Sequence, residues 1–398
     1  MAEAVRAKVQ TVSVGTDLSG ALSDWLVERY RDDRLGLADV TLFLPNNRAV
    51  SALTSAFVRS ADKGLVLPRM VAIGDLALDE KLGPLLDPFS QDETTPFPSV
   101  PDIERLLKLV ALIRQERGDA SAAEALHLAK QLVQTLNELE VEEKSIHDIE
   151  LDHDDADLAD HWSKAYDSPK LLCRQSESWL AERYLLSPAA RRNALLDRLT
   201  HRLKSTPPTA PVIAAGITTA APAIAKLLSQ IAGLSQGLVL LPHVDLTMPE
   251  ADWDALGNID APGEGSDTEK PPRQQETHPQ YHLKLLLHRM GIRRDEVTAF
   301  SGKSAATVRG THLSQAVQDI FCIAEKTVEW QGLSSKRRSL DHVRLVEAED
   351  SAEEARAISV LIREAIETPG KRVALVTPDR EIASRVAAQL LRWNIEAG

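Results

Sequence analysis

The chain has 398 residues, a hydrophobic fraction of 43% and a formal net charge of −13. That length exceeds an ordinary single domain, and the acidic excess excludes a surface coated for general nucleic-acid binding, because phosphate affinity rests on clustered Lys and Arg. No apolar run approaches the ~20 residues that span a bilayer, the start lacks an export-signal pattern, and the two cysteines, Cys173 and Cys322, are far apart. A cytoplasmic protein with buried, unpaired thiols and no disulfide framework is therefore expected.

The first element is an apolar run, Val12-Ser13-Val14, leading into Gly15-Thr16-Asp17-Leu18-Ser19-Gly20 and then a helical pattern through Trp25, Leu26 and Tyr30. The Gly-x-x-x-x-Gly spacing between a strand and a helix is that of a phosphate-binding loop. Such a loop needs a Lys for the phosphate charge and a Ser or Thr for Mg²⁺. Here those positions are Ala21 and Leu22, and Asp17 inside the loop repels phosphate. The loop is degenerate, or it is an ordinary strand-to-helix turn; both readings predict that no ATP is hydrolysed.

Further strands are expected at Val40–Leu44 before Pro45, Val212–Ala215 before Gly216, Leu238–Leu241 before Pro242 and Val373–Thr377 before Pro378. Continuous apolar runs of this length, separated by helical segments, indicate buried strands of a parallel α/β sheet. Ligands in such sheets bind outside the carboxyl ends of the strands. Between about Pro101 and Leu203 the pattern turns helical. Ile103, Leu106, Leu107, Val110 and Ile113 share one face after an Asp102 cap, and Ser121-Ala-Ala-Glu124 is a capping box ahead of Leu128, Leu132, Leu136 and Leu139. Ser187-Pro188 begins another helix. Residues 84–101 and 258–279 have linker composition. The tail restarts an α/β unit, with a strand at His342–Val346, a cap at Ser351, a helix to Ile366, the strand at 373–377 and a helix toward Trp393. On this reading the chain stops mid-domain at Gly398.

No candidate chemistry forms a catalytic constellation. The cluster from His147 through Asp148, Glu150, Asp152, His153, Asp154 and Asp155 matches no metal-site spacing and reads as a solvated acidic connection, so no metal is expected. No serine lies in a Gly-x-Ser-x-Gly elbow. His278-Pro-Gln-Tyr281 precedes a helix from Leu283 to Met290, and Lys336-Arg337-Arg338 reads as a solvated basic turn. At the strand ends stand Asn46, Asn47, Arg48, Thr218, Thr219, His243, Asp245 and Asp379. Of these only His243 with Asp245 could do acid–base work. A stand-alone α/β enzyme acting on a small molecule at the strand ends is the alternative function, and an active ATPase with an unusual loop is the weakest reading.

Taken in order, Leu42-Phe-Leu-Pro-Asn-Asn-Arg48, Leu67-Pro-Arg69 through Gly74-Asp75, Leu186-Ser-Pro-Ala-Ala-Arg-Arg-Asn193, Pro211 through Gly216, Val239-Leu-Leu-Pro242, His278 through Tyr281, and Val373 through Asp379 with Leu391-Arg-Trp393 resemble the N-terminal part of AddB-like subunits. These are the second subunits of bacterial AddAB helicase–nucleases, here in alphaproteobacterial form. The resemblance runs along nearly the whole chain. It implies a degenerate superfamily-1 helicase-like α/β fold: a RecA-like parallel sheet, an inserted helical subdomain and the start of a second RecA-like domain. The implied division is 1–100 and 206–250 for the first RecA-like domain, 101–205 for the helical subdomain, 251–280 for an acidic linker, 281–340 for a helical connection and 341–398 for the start of the second domain.

The resemblance further implies a non-motor subunit that guides DNA in double-strand break repair beside an AddA-like motor subunit. DNA is then a partner, bound weakly as a single strand by this chain alone, and no membrane is involved. An iron–sulfur cluster is implied only for the family's C-terminal nuclease domain, so no cofactor is expected here. Where active helicases of this superfamily carry a γ-phosphate-contacting arginine, this sequence has Pro378. Where AddB subunits of other phyla read a recombination hotspot, the first site corresponds to Asn47, still an amide, and the second to Ile73-Gly-Asp75-Leu-Ala-Leu78, without arginine or aromatic ring. Asn47 and Arg48 are accordingly the DNA-binding candidates, and Gly15, Gly20, Ala21 and Leu22 mark a nucleotide site that is not functional.

Overall fold

A computed structural model describes residues 8–33, 35–61, 64–74, 82, 96–148, 156–257, 275–300, 309–335, 337 and 343–396. The chain divides into two units, Met1–Arg337 and Arg338–Gly398. Within the first unit lies a six-stranded sheet of β1 (Val9–Val12), β2 (Thr41–Leu44), β3 (Arg69–Ala72), β4 (Val212–Ala215), β5 (Gly237–Pro242) and β6 (Thr298–Ala299). Its order is β3-β2-β4-β5-β1-β6, and every pairing is parallel. A parallel sheet must be covered on both faces, and the interior strands β2, β4 and β5 are buried on both sides for that reason.

The two-residue period of a strand sorts these side chains between two cores. Leu42, Leu44, Ile213, Ala215, Leu238 and Leu240 face α1 (Leu18–Arg29) and α2 (Asn47–Ser60). Phe43, Val71, Val212, Ala214, Val239 and Leu241 face the opposite layer. That layer is built from α6 (Pro188–Ser205), α7 (Pro222–Ala232) and α9 (Tyr281–Met290). The first strand departs from the expected Val12–Val14: it runs Val9–Val12, and its polar Thr11 is buried because its Oγ1 accepts the Val244 N–H at 2.9 Å. A buried hydroxyl with a partner costs little, so polarity did not mark the strand end.

Between β3 and β4 stand α3 (Asp102–Glu116), α4 (Ala122–Val141), α5 (Ala156–Glu182) and α6. Ser121 caps α4 by accepting the Glu124 N–H at 3.2 Å, and Ser187 caps α6, with Pro188 as its first residue. Pro101, not Asp102, occupies the capping position of α3, so Asp102 contributes only an acidic first-turn charge. Leu109, Leu112, Ile113, Ala125, Ala129 and Leu172 give α3, α4 and α5 their own small core. By contrast, Leu195, Leu196, Leu199 and Leu203 of α6 join the main core beneath the sheet. A polar network ties the layers together. Arg105, 2% exposed, donates to Asn137 Oδ1 at 2.7 Å and to Glu140 Oε1 at 3.2 Å. Ser187 donates to the other Glu140 oxygen, and Asn193 donates to the Glu140 carbonyl at 2.8 Å. Burial holds the Glu140 carboxyl above its usual pKa, outweighing the pull of Arg105.

The stretch read as a linker contains a short helix, α8 (Glu250–Ala255), and residues 258–274 lie outside the described residues, as do 83–95. The stretch 281–340 carries α9, whose Leu283, Leu286, Leu287 and Met290 enter the main core, then β6 and α10 (Arg309–Ile320). In the second unit α11 (Ser351–Ile366) packs on α12 (Arg380–Leu391) through Ala355, Val386 and Leu390. Asp350, not Ser351, caps α11, accepting from the Ala352 and Glu353 N–H groups. The expected strands at 342–346 and 373–377 are corrected: residues 343–346 and 373–377 pair with no described strand, and Leu345 and Val376 are 87% and 93% exposed. Cys173 is buried, with burial raising its thiol pKa to about 12, whereas Cys322 is only half-buried.

Candidate functional site at the carboxyl ends of the strands

Crossovers leave β1 and β2 over one face of the sheet and β4 and β5 over the other, so neighbouring strands part at β2/β4 and at β5/β1. Such switch points open crevices at the strand ends. At the first, Gly216 turns the chain with φ +74, a left-handed conformation that favours glycine. Beside it Gly74 donates its N–H to the Pro45 carbonyl at 3.0 Å, and a Cβ on Gly74 would stand 2.4 Å from that oxygen. Asn46 then caps α2, its Oδ1 accepting the Ala49 N–H at 3.0 Å. Asn47 and Arg48 are the first two residues of the helix, both exposed beside the crevice.

At the second crevice the chain leaves β1 through a turn at Gly15, φ +81, closed by the Thr16 N–H on the Ser13 carbonyl. Helix α1 begins at Leu18, with Asp17 in the capping position. The second glycine of the spacing, Gly20, therefore lies inside the first turn of α1 and not in a loop. The backbone N–H of Ala21 is already bonded to the Asp17 carbonyl at 2.8 Å, and the side chains of Ala21 and Leu22 are fully buried against Leu26, Leu42 and Leu240. Where a phosphate loop places its Lys and its Mg²⁺-binding hydroxyl, this protein places core. The sequence pattern signalled the glycines but not this early helix start.

Across the crevice the β5 end is pinned by residues distant in sequence. His243 adopts φ +54, and its carbonyl accepts a bond from Gln280 Nε2 at 2.8 Å. Gln280 Oε1 in turn accepts the Asp245 N–H at 3.0 Å. Asp245 Oδ1 accepts from Thr247 N, Thr247 Oγ1 and Met248 N, closing a local turn. The two residues are not joined by a hydrogen bond, so the one acid–base pair suggested by the sequence is not assembled. His278 binds the Phe321 carbonyl through Nε2 and accepts the Gln280 N–H at Nδ1, which makes it a positioning group for the loop.

Burial lowers the pKa of both His243 and His278; for His278 the Phe321 carbonyl and Asp245 only partly oppose it. A base with a lowered folded-state pKa is protonated more readily in the unfolded chain, so stability is full above the ordinary imidazole value of 6.5 and falls as pH drops below it. The expected result is a urea midpoint that falls between pH 7.5 and 5.5, and falls less in His243→Asn. Asn is chosen because it tolerates the left-handed backbone. An equal fall in both proteins would mean that His243 contributes nothing to it.

The acidic cluster is described only up to Asp148. His147 lies 3.5 Å from Glu177, and residues 149–155 fall outside the described residues. Among the described residues no group of three or more His, Cys, Asp or Glu side chains is placed to hold a metal ion, and no helix is long and apolar enough to cross a membrane. Of the basic run, Arg337 pairs with Asp319, and its neighbours Lys336 and Arg338 lie outside the described residues. Neither a scan against protein-family models nor a search of curated proteins found a match to this chain.

Proposed function

We propose that this chain is the helicase-like part of an AddB-type subunit, a non-motor element that guides DNA and binds a motor subunit in double-strand break repair. The observation that carries the reading is the burial of Ala21 and Leu22: a glycine turn leads from an interior parallel strand into a helix, yet the phosphate-binding positions are core. A helicase-type domain released from nucleotide binding would keep that topology and lose those side chains. The ordered sequence resemblance is what supports the choice of family. The alternative, a small-molecule enzyme at the strand ends, is less well supported, because His243 and Asp245 serve the turn that holds their own loop.

On this proposal Asn47 offers an amide to a base edge and Arg48 a charge to a phosphate, both at the N-terminal end of a 14-residue helix whose dipole favours anions. The test is single-stranded DNA binding by the complete two-subunit complex, comparing wild type with Asn47→Ala and Arg48→Ala. Arg48→Ala should weaken all sequences about equally and reduce the slope of log K against log salt by about 0.7. Asn47→Ala should alter sequence preference. Unchanged affinity, preference and salt slope in both variants would remove these residues from the DNA path.

A further inference from the structure

A cavity of about 480 Å³ opens at the carboxyl ends of β1 and β5, between the strand ends and residues 317–333 with Arg337. Its size suits a small ligand. Val12, Val14, Leu246 and Phe321 give it apolar walls, and Trp330 stands at its rim, the ring fixed by an Nε1–H bond of 2.7 Å to the Asp319 carbonyl. It adjoins the turn at Gly15, where a nucleotide-binding relative would receive phosphate.

The charges point to a different guest. Among the described residues the lining holds four carboxylates, Asp245, Asp252, Asp319 and Glu329, against two cations, Lys326 and Arg337. Lys326 is held by Asp252 at 2.6 Å, and Arg337 is held by Asp319 through two bonds. Asp245 and Glu329 form no ion pair among the described residues. Asp252 and Asp319 are neutralised by their partners, so the charge an entering group meets is set by half-buried Asp245 in the wall and by Glu329, exposed at the mouth, and it is negative. An anion is repelled and a cation is drawn in, with the Trp330 ring at the rim beside it.

We propose that this cavity binds an organic cation: a guanidinium or ammonium group on a short aliphatic frame, free in solution or as an arginine or lysine side chain presented by a protein. The apolar walls take the frame, and Asp245, Glu329 and the Trp330 ring take the charge. The proposal is independent of the helicase-like reading and would stand if DNA binding failed.

The test is calorimetric titration of the full chain with agmatine, with an acetylated and amidated arginine-containing tripeptide, and with pentanamide and inorganic phosphate as neutral and anionic controls. Binding of either cation, without binding of pentanamide or phosphate, is the expected result. Binding of agmatine without the peptide identifies a small-molecule site, binding of the peptide alone identifies a presented side chain, and binding of both identifies a guanidinium pocket open to either source. Glu329→Gln should weaken the cation roughly threefold to fivefold, and Trp330→Leu by roughly threefold to tenfold. Both side chains are exposed on the 3-10 segment Ala324–Gly332, so the core is untouched. Failure of both cations to bind, equal binding of pentanamide, or affinity unchanged in both variants would overturn the proposal.

Discussion

Writing a phosphate-binding sequence back into this protein, by Ala21→Lys with Leu22→Thr, should unfold the sheet domain and create no nucleotide site. Both side chains are fully buried in the core formed by α1, α2 and one face of the sheet. Truncating a buried leucine costs about 2–5 kcal/mol, and an ammonium group forced into the same core costs several kcal/mol more. Together these rival the ~5–15 kcal/mol by which a domain is stable. A urea titration should show the transition shifted to far lower denaturant or lost. Calorimetry with Mg²⁺–ATP should give no specific heat in either the wild type or the variant. A variant that kept the wild-type midpoint and bound ATP at micromolar concentration would show that the helix can slide to re-form a loop, and would sink both the prediction and the reading of the site.

Glu140→Ala is expected to be the most damaging single change in the helical layer. It removes the carboxylate opposite Arg105, a guanidinium 2% exposed whose Nε already lacks a partner, and it takes away the acceptor of the Ser187 hydroxyl proton, leaving that oxygen only its cap bond from Ala190. Breaking one side of a buried pair costs about 3–5 kcal/mol because the other charge stays in low dielectric. The double variant Arg105→Met with Glu140→Leu removes both charges and should recover most of that loss. Chemical denaturation of the two single variants and the double variant gives the coupling. A Glu140→Ala variant within ~1 kcal/mol of wild type would mean that solvent reaches Arg105 after the carboxylate is gone.

How much of this was legible in the sequence differs from element to element. The interior strands β2, β4 and β5 could be read because each is a nearly continuous apolar run closed by proline or glycine, with Thr41 the one polar side chain, which is what burial on both faces requires. The first strand was read three residues late, because Gln10 and Thr11 look polar until their long-range partners Thr298 and Val244 are known. The two-residue edge strand β6 is exposed and carries no apolar signal. Val373–Val376 is such a run and Val343–Val346 is one broken by Arg344, yet neither forms a ladder among the described residues: an apolar run specifies a strand only when another strand supplies its hydrogen bonds. Of the candidate site, Asn47, Arg48, His243 and His278 were visible individually. The cavity was not, because its walls join Thr11 to Asp245, Asp319 and Trp330, and nothing local to any of them announces the others.

The sheet order carries a consequence for biosynthesis. β1 lies against β5, and its Thr11 finds its partner at Val244, 233 residues further along. β2 waits likewise for β4. While the ribosome is making the helices between β3 and β4, the first three strands have emerged with unpaired edges and apolar faces, the state most exposed to aggregation. The core formed by α3, α4 and α5 needs only neighbours close in sequence and can assemble during that interval. Translation that pauses before β5 should therefore leave a folded helical knot trailing an unfinished sheet, a natural client for chaperones until the strand ending at Pro242 arrives.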